Sequence, residues 1–200
     1  MRDERWVVGQ LAYTDRMPPL PTSSLDERQR KVAEDLTNGP RGGVKGPFVP
    51  LLRSPDLVDR LGKLGEYLRF GSSLDARVSE LVMLSVAREW TNQFEWATHA
   101  PLAFKAGIKQ EVIDALSEGR RPRGMAEDEE IAYELCEELS RTKSVCETTY
   151  RRAAAQFGET RVIDLLTLYG YFVTVCAIMN VGHTPPPPNG PVAPLMPFPL

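Results

Sequence analysis

Histidine and cysteine are scarce in this chain of 200 residues, with two of the first and three of the second. Cys136, Cys146 and Cys176 are widely spaced, odd in number and form no Cys-x-x-Cys. That argues against a disulfide framework and for reduced thiols that act as small buried apolar residues. A basic excess is also missing: the formal net charge is -3, which leaves no electrostatic footprint for nucleic acid. Long apolar runs are absent too. The best stretch, 162–181, is interrupted by Asp164, Thr167, Tyr169, Gly170, Tyr171, Thr174 and Asn180, so no membrane span is expected. The opening MRDERWVVGQLAYTDRMPPLP does not read as a secretory signal, and a cytoplasmic protein is expected. No segment alternates with period two, which removes a sheet from consideration.

What remains is helical. Hydrophobic residues make up 42% of the chain and charged residues 26%, enough for one domain with a sizeable core. Residues 1–24 read as an extended arm in which Trp6, Val7, Val8 and Leu11 have apolar surface to bury. Ser24 is placed to cap a first helix that stops at Asn38-Gly39. A loop rich in Pro and Gly follows over 40–50, and its Gly46-Pro47-Phe48 can set an aromatic over a cavity. Leu57, Leu61, Leu64 and Leu68 recur at helical spacing up to Gly71. Ser73 then caps a helix running to Trp90, and another starts near Asn92 or Glu95 and closes at Gly107. Further helices fit 110–118, 127–141, 146–157 and 160–180. Residues 182–200, with four consecutive prolines, form a second arm. The expected architecture is a single all-α bundle over 25–181 between two arms, either of which can reach a neighbouring subunit. The octet 77–84 echoes 161–168 in four identities and pairs Glu80 with Asp164, as two related hairpins would.

Imidazole chemistry is confined to His99 or His183. His99 has the better company: Glu95 lies four residues before it and Asn92 seven before it, all on one helical face. A Glu and a His four apart are by themselves an ordinary solvated pair. The flanking Phe94, Trp96, Pro101, Leu102 and Phe104 instead favour a buried one. Glu80, on the preceding helix, sits among Val78, Leu81, Val82 and Leu84, where an acid is either rotated outward or drawn into a polar pocket. Two carboxylates and one imidazole make a poor metal set, so no metal is expected. Arg69, Arg77 and Arg88 could each hold a substrate carboxylate or lie at the surface.

The run RFGSSLDARVSELVMLSVAREWTNQFEWATHAPLAFKAGIKQEVIDAL resembles the core of the carboxymuconolactone decarboxylase family, in the alkylhydroperoxidase D-like superfamily. The likeness covers 46–116 and extends weakly to GYFVTVCAIMNVGHTPPPP. Glu80, Asn92, Glu95 and His99 fall where the peroxidase branch carries Glu, Cys, Cys and His. Neither replacement can form a disulfide or attack a peroxide as a thiolate. A Glu four before the His resembles the decarboxylase branch instead. The resemblance therefore implies a helical bundle of that superfamily and a cofactor-free acid/base enzyme acting on a small carboxylated lactone or related aromatic ring-cleavage product. Catalysis would fall to Glu80, Glu95 and His99, with Phe48, Asn92 and Trp96 at the substrate. It further implies a homo-oligomer, a trimer or a hexamer. Two other readings stand beside it: a peroxidase or antioxidant protein, and a non-catalytic oligomeric protein that binds small molecules.

Overall fold

The computed structural model describes residues 14–187 and 192–196; Trp6, Val7, Val8 and Leu11 of the expected N-terminal arm lie outside them. Within the described residues the chain forms helices and no strand. The order is α1 (Glu27–Asn38), α2 (Phe48–Leu51), α3 (Pro55–Glu66), one π-helical turn (Tyr67–Gly71), α4 (Ala76–Glu89), α5 (Gln93–Ala106), α6 (Gln110–Ser117), α7 (Glu127–Thr142) and α8 (Glu147–Gly182).

Two helix starts differ from the sequence expectation, each in favour of a nearby carboxylate. Asp26, not Ser24, caps α1: its side chain accepts from the Gln29 amide at 2.7 Å, and the Gln29 side chain accepts from the Asp26 amide at 3.0 Å. Ser24 lies in a preceding 3-10 turn and donates to the Pro21 carbonyl. Asp75, not Ser73, caps α4, accepting from the Arg77 amide at 2.8 Å. The short α2 falls within what reads as loop, because four residues are too few to show a period. The helices expected over 146–157 and 160–180 are parts of α8, which changes direction at Gly158 (φ 76°, ψ 156°).

α4 is the centre of the molecule. Its Val78, Val82, Met83 and Val86 pack with α7 and α8 around Leu135, Leu165, Leu168 and Val175, while Leu81, Leu84 and Ala87 pack with Trp96, Ala103, Ile108 and Val112 of α5 and the segment beyond it. A third cluster joins α1, α2 and α3 through Val32, Leu36, Phe48, Leu51 and Val58. α8 is long and apolar enough to cross a bilayer on length and composition, but half of that stretch is buried inside the fold, as in a core helix. The octet echo falls on α4 and on α8 beyond the break, and its acidic pair, Glu80 and Asp164, is buried on both.

Described residues near both ends of the chain lie along this body. The Arg16 amide donates to the Gly182 carbonyl at 2.8 Å. Leu195 is buried beside Leu84 and Trp96, and the Gln93 side chain bonds both its amide and its carbonyl at 2.8 Å. The described part of the C-terminal arm therefore docks on its own α5.

Candidate active site

α4 and α5 meet in a three-residue turn, and that turn decides the site. Thr91 takes a left-handed conformation (φ 46°), rare for a β-branched residue, held by the Thr91 and Asn92 amides donating to Arg88 and Ala87 carbonyls. Asn92 then caps α5: its side-chain oxygen accepts from the Glu95 amide at 2.9 Å. Its amide nitrogen donates to the side chain of Asn180 at 2.8 Å, pinning the start of α5 to α8. This sets Glu95 in the first turn of α5, where the positive end of the helix favours a carboxylate, and brings His99 one turn later against α4.

There the imidazole is held from both edges. Nδ1 of His99 bonds Oε2 of Glu80 at 2.7 Å, and Nε2 lies 3.2 Å from Oε2 of Glu95. Phe172 of α8 fixes the ring plane by an edge-on contact, with centroids 5.2 Å apart. His99 is only 1% exposed. Burial, the largest influence, would push its pKa down; the bonds to Glu80 and Glu95 and their charges outweigh it and raise the pKa to about 9. At neutral pH the group is thus an imidazolium donating from both nitrogens. Because the carboxylates occupy opposite edges of the ring, the three groups do not converge on a point where one metal ion could bind all of them.

His99 and Glu95 form one wall of a cavity of about 640 Å³. Phe94 and Thr98 extend that wall, and α8 supplies Tyr171, Phe172 and Val175. The 40–47 loop contributes Arg41 and Lys45, the start of α2 Phe48, the π-helical turn Arg69 and Phe70, and Pro185 to Pro187 close another side. Gly46 lets the loop lie this close: its φ is +55°, and a Cβ there would stand 2.6 Å from the Phe94 ring. A second hollow, about 300 Å³ between Ser73, Asp128 and Arg161, contains none of the three residues of the triad.

The expected site residues therefore divide. Glu80, Glu95 and His99 come together, with Glu80 behind the imidazole and the other two facing the cavity. Phe48 lines the cavity under the Arg41 guanidinium, 4.4 Å from its ring centroid. Asn92 does not line it, being used as a helix cap, and Trp96 points the other way into the core beside Leu84 and Ala100. Of the three arginines considered, Arg69 lines the cavity, Arg77 is held by Asp128 and Glu129 at 2.7 Å each, and Arg88 donates to the Met196 carbonyl. Arg41, Lys45 and Tyr171 escaped the sequence reading. The two cations sit in an aperiodic loop, and only their alternation with Gly42, Gly43 and Gly46 hinted that the loop could fold over a site.

The thiols lie apart from the cavity walls. Cys136 and Cys176 are buried in the core, where burial pushes Cys136 up to about 12 and raises Cys176 further, with the charge of Glu95 adding to the second shift. Cys146 is exposed at the start of α8.

No family model matches the sequence, and no curated protein is significantly similar to it. Among solved structures, the fold is similar to that of an alkylhydroperoxidase AhpD core, a peroxidase-related protein from Ralstonia eutropha JMP134. The TM-score is 0.70 over 86% of this chain and 92% of that one, at 14% identity. The chain thus has the all-helical AhpD-like fold.

Proposed function

We propose that this protein is a cofactor-free acid/base enzyme of the carboxymuconolactone decarboxylase kind, acting on a small carboxylated lactone or related ring-cleavage product. The observation that carries the reading is the imidazolium of His99, held between two buried carboxylates at the wall of a cavity lined by cations and aromatic rings. In the proposed reaction the bond from the ring carbon to the carboxylate breaks, carbon dioxide leaves, and the electron pair enters the unsaturated lactone as an enolate. Cationic side chains at the wall stabilise that developing charge. The proton on Nε2 of His99 passes through Glu95 to carbon, and the imidazole regains a proton from water. Glu80 holds Nδ1–H throughout and keeps the ring oriented.

The rival peroxidase reading draws on the peroxidase-related fold neighbour. Against it stand the residues at the site: Asn92 is a cap, Glu95 is a carboxylate, and the buried thiols resist ionisation. Assaying the purified protein on a panel of carboxylated lactones, and separately on an organic hydroperoxide with a thiol reductant, separates the two. Lactone turnover that falls by roughly 10²- to 10⁴-fold in His99→Ala is the expected result. Hydroperoxide turnover that vanishes with one cysteine would instead establish a peroxidase, and carboxylate binding without turnover of either class a binding protein.

A further inference from the structure

We infer that Arg41 and Tyr171 form a carboxylate clamp in this cavity, the pair that binds the anionic end of the ligand. The inference extends the proposed function by assigning recognition residues, and binding alone is enough to test it.

Arg41 differs from the fold's ion-paired arginines. Arg77, Arg121 and Arg152 are neutralised by carboxylates, whereas among the described residues Arg41 makes no ion pair. Its Nη2 donates to the Gly62 carbonyl at 3.2 Å and its guanidinium also bonds the Tyr171 hydroxyl, which leaves most of its five N–H groups for an acceptor. Its flat face rests on Phe48, which leaves the edge of the fork available to an acceptor. Tyr171 stands next to it. That residue is 6% exposed, lines the same cavity, and its hydroxyl oxygen lies against the Arg41 guanidinium while its O–H finds no acceptor among the described residues. A buried O–H with no acceptor is costly and calls for an explanation; a ligand acceptor supplies one.

Gly65 of α3 ties the two donors together. A Cβ at that position would lie 2.3 Å from the Tyr171 hydroxyl oxygen and 2.7 Å from Nη2 of Arg41, so both groups are drawn to the same spot and only a glycine gives them room. Lys45 and Arg69 add positive charge to the cavity wall, and among the described residues Glu95 is its one carboxylate. A guanidinium and a phenol converging in such a field suit the two oxygens of a carboxylate. Aromatic walls from Phe48, Phe94 and Phe172 suit a flat, unsaturated body.

Furan-2-carboxylate and its methyl ester differ chiefly in charge, and titrating each into the full-length protein by calorimetry tests the clamp. The acid is expected to bind better than the ester. Arg41→Met should weaken the acid by roughly 10- to 100-fold and leave the ester unchanged, and Tyr171→Phe should weaken the acid by about 3- to 10-fold. Gly65→Ala, which displaces both donors, should behave like Arg41→Met, with circular dichroism showing that each variant is folded. Equal losses for acid and ester, an acid affinity indifferent to Arg41, or no binding of the acid at millimolar concentration would overturn the assignment. Lactone turnover plays no part in the titration: an Arg41-dependent preference for the acid in a protein that turns over no lactone would uphold the clamp and remove the decarboxylase reading.

Discussion

Glu80 and His99, nineteen residues apart and on different helices, are joined by a 2.7 Å hydrogen bond in the protein interior. The bond places a formal negative charge behind an imidazole whose other edge faces Glu95, and it makes the charge state of His99 a property of the α4–α5 hairpin.

Stability should report that charge. The folded pKa of His99 is about 9 against an ordinary 6.5, so the protonated form is favoured by folding. Its contribution is fully present below pH 6.5 and is lost as pH rises to 9. Urea midpoints measured from pH 6 to 10 should fall over this window by an amount equivalent to at most about 3 kcal/mol. In His99→Gln that fall should be absent.

The two carboxylates should prove individually responsible. With only two histidines in the chain, the ring resonances of His99 and His183 are readily told apart in an NMR titration. His99 in the native protein should titrate near 9, and in Glu80→Gln or Glu95→Gln its midpoint should move down, because burial then opposes fewer charges. An unchanged midpoint in both variants would mean that the bonds do not set the charge.

Asp164 should act on the site from a distance. It accepts from the hydroxyls of Tyr67 at 3.2 Å and Ser72 at 2.7 Å, and so fastens both ends of the π-helical turn that carries Arg69 and Phe70 into the cavity. Asp164→Ala should cost about 1–3 kcal/mol of stability. In steady-state kinetics it should raise KM for a carboxylated lactone severalfold while kcat stays nearly constant.

Self-association is the next expectation. Leu64, Phe70, Phe104, Ile163 and Val181 are exposed on the single chain, at 37% to 61%. Sedimentation at micromolar concentration should find a trimer or a hexamer; a monomer would leave these side chains without a partner.

Much of the triad was readable from sequence because it depends on local order: Asn92 and Gly107 bound α5, and Glu95 and His99 repeat at one helical turn. Glu80 needed the family resemblance, since its neighbours give no hint of the hairpin that turns it inward. The cavity-lining residues were harder. Asn92 and Trp96 share a helix with His99 but serve as a cap and a core residue, because a helix face is wider than the cavity it borders. Arg41 and Lys45 arrive through a loop whose path is set by long-range packing of Gly46 on Phe94, a contact no periodicity records. The π-helical turn at Tyr67–Gly71 likewise follows from an amide of Ser72 reaching back to Tyr67 at 2.7 Å, which the leucine spacing alone cannot distinguish from ordinary helix.

Proton transfer without thiol chemistry is tested most directly by replacing Cys136, Cys146 and Cys176 together with Ala or Ser and assaying carboxylated lactones in deuterated water, beside His99→Ala. The cysteine-free protein should release carbon dioxide at close to the native rate and leave one deuterium on the protonated carbon, and His99→Ala should lose roughly 10²- to 10⁴-fold in turnover. Turnover that disappears with the cysteines and survives loss of His99 would contradict the proposed chemistry.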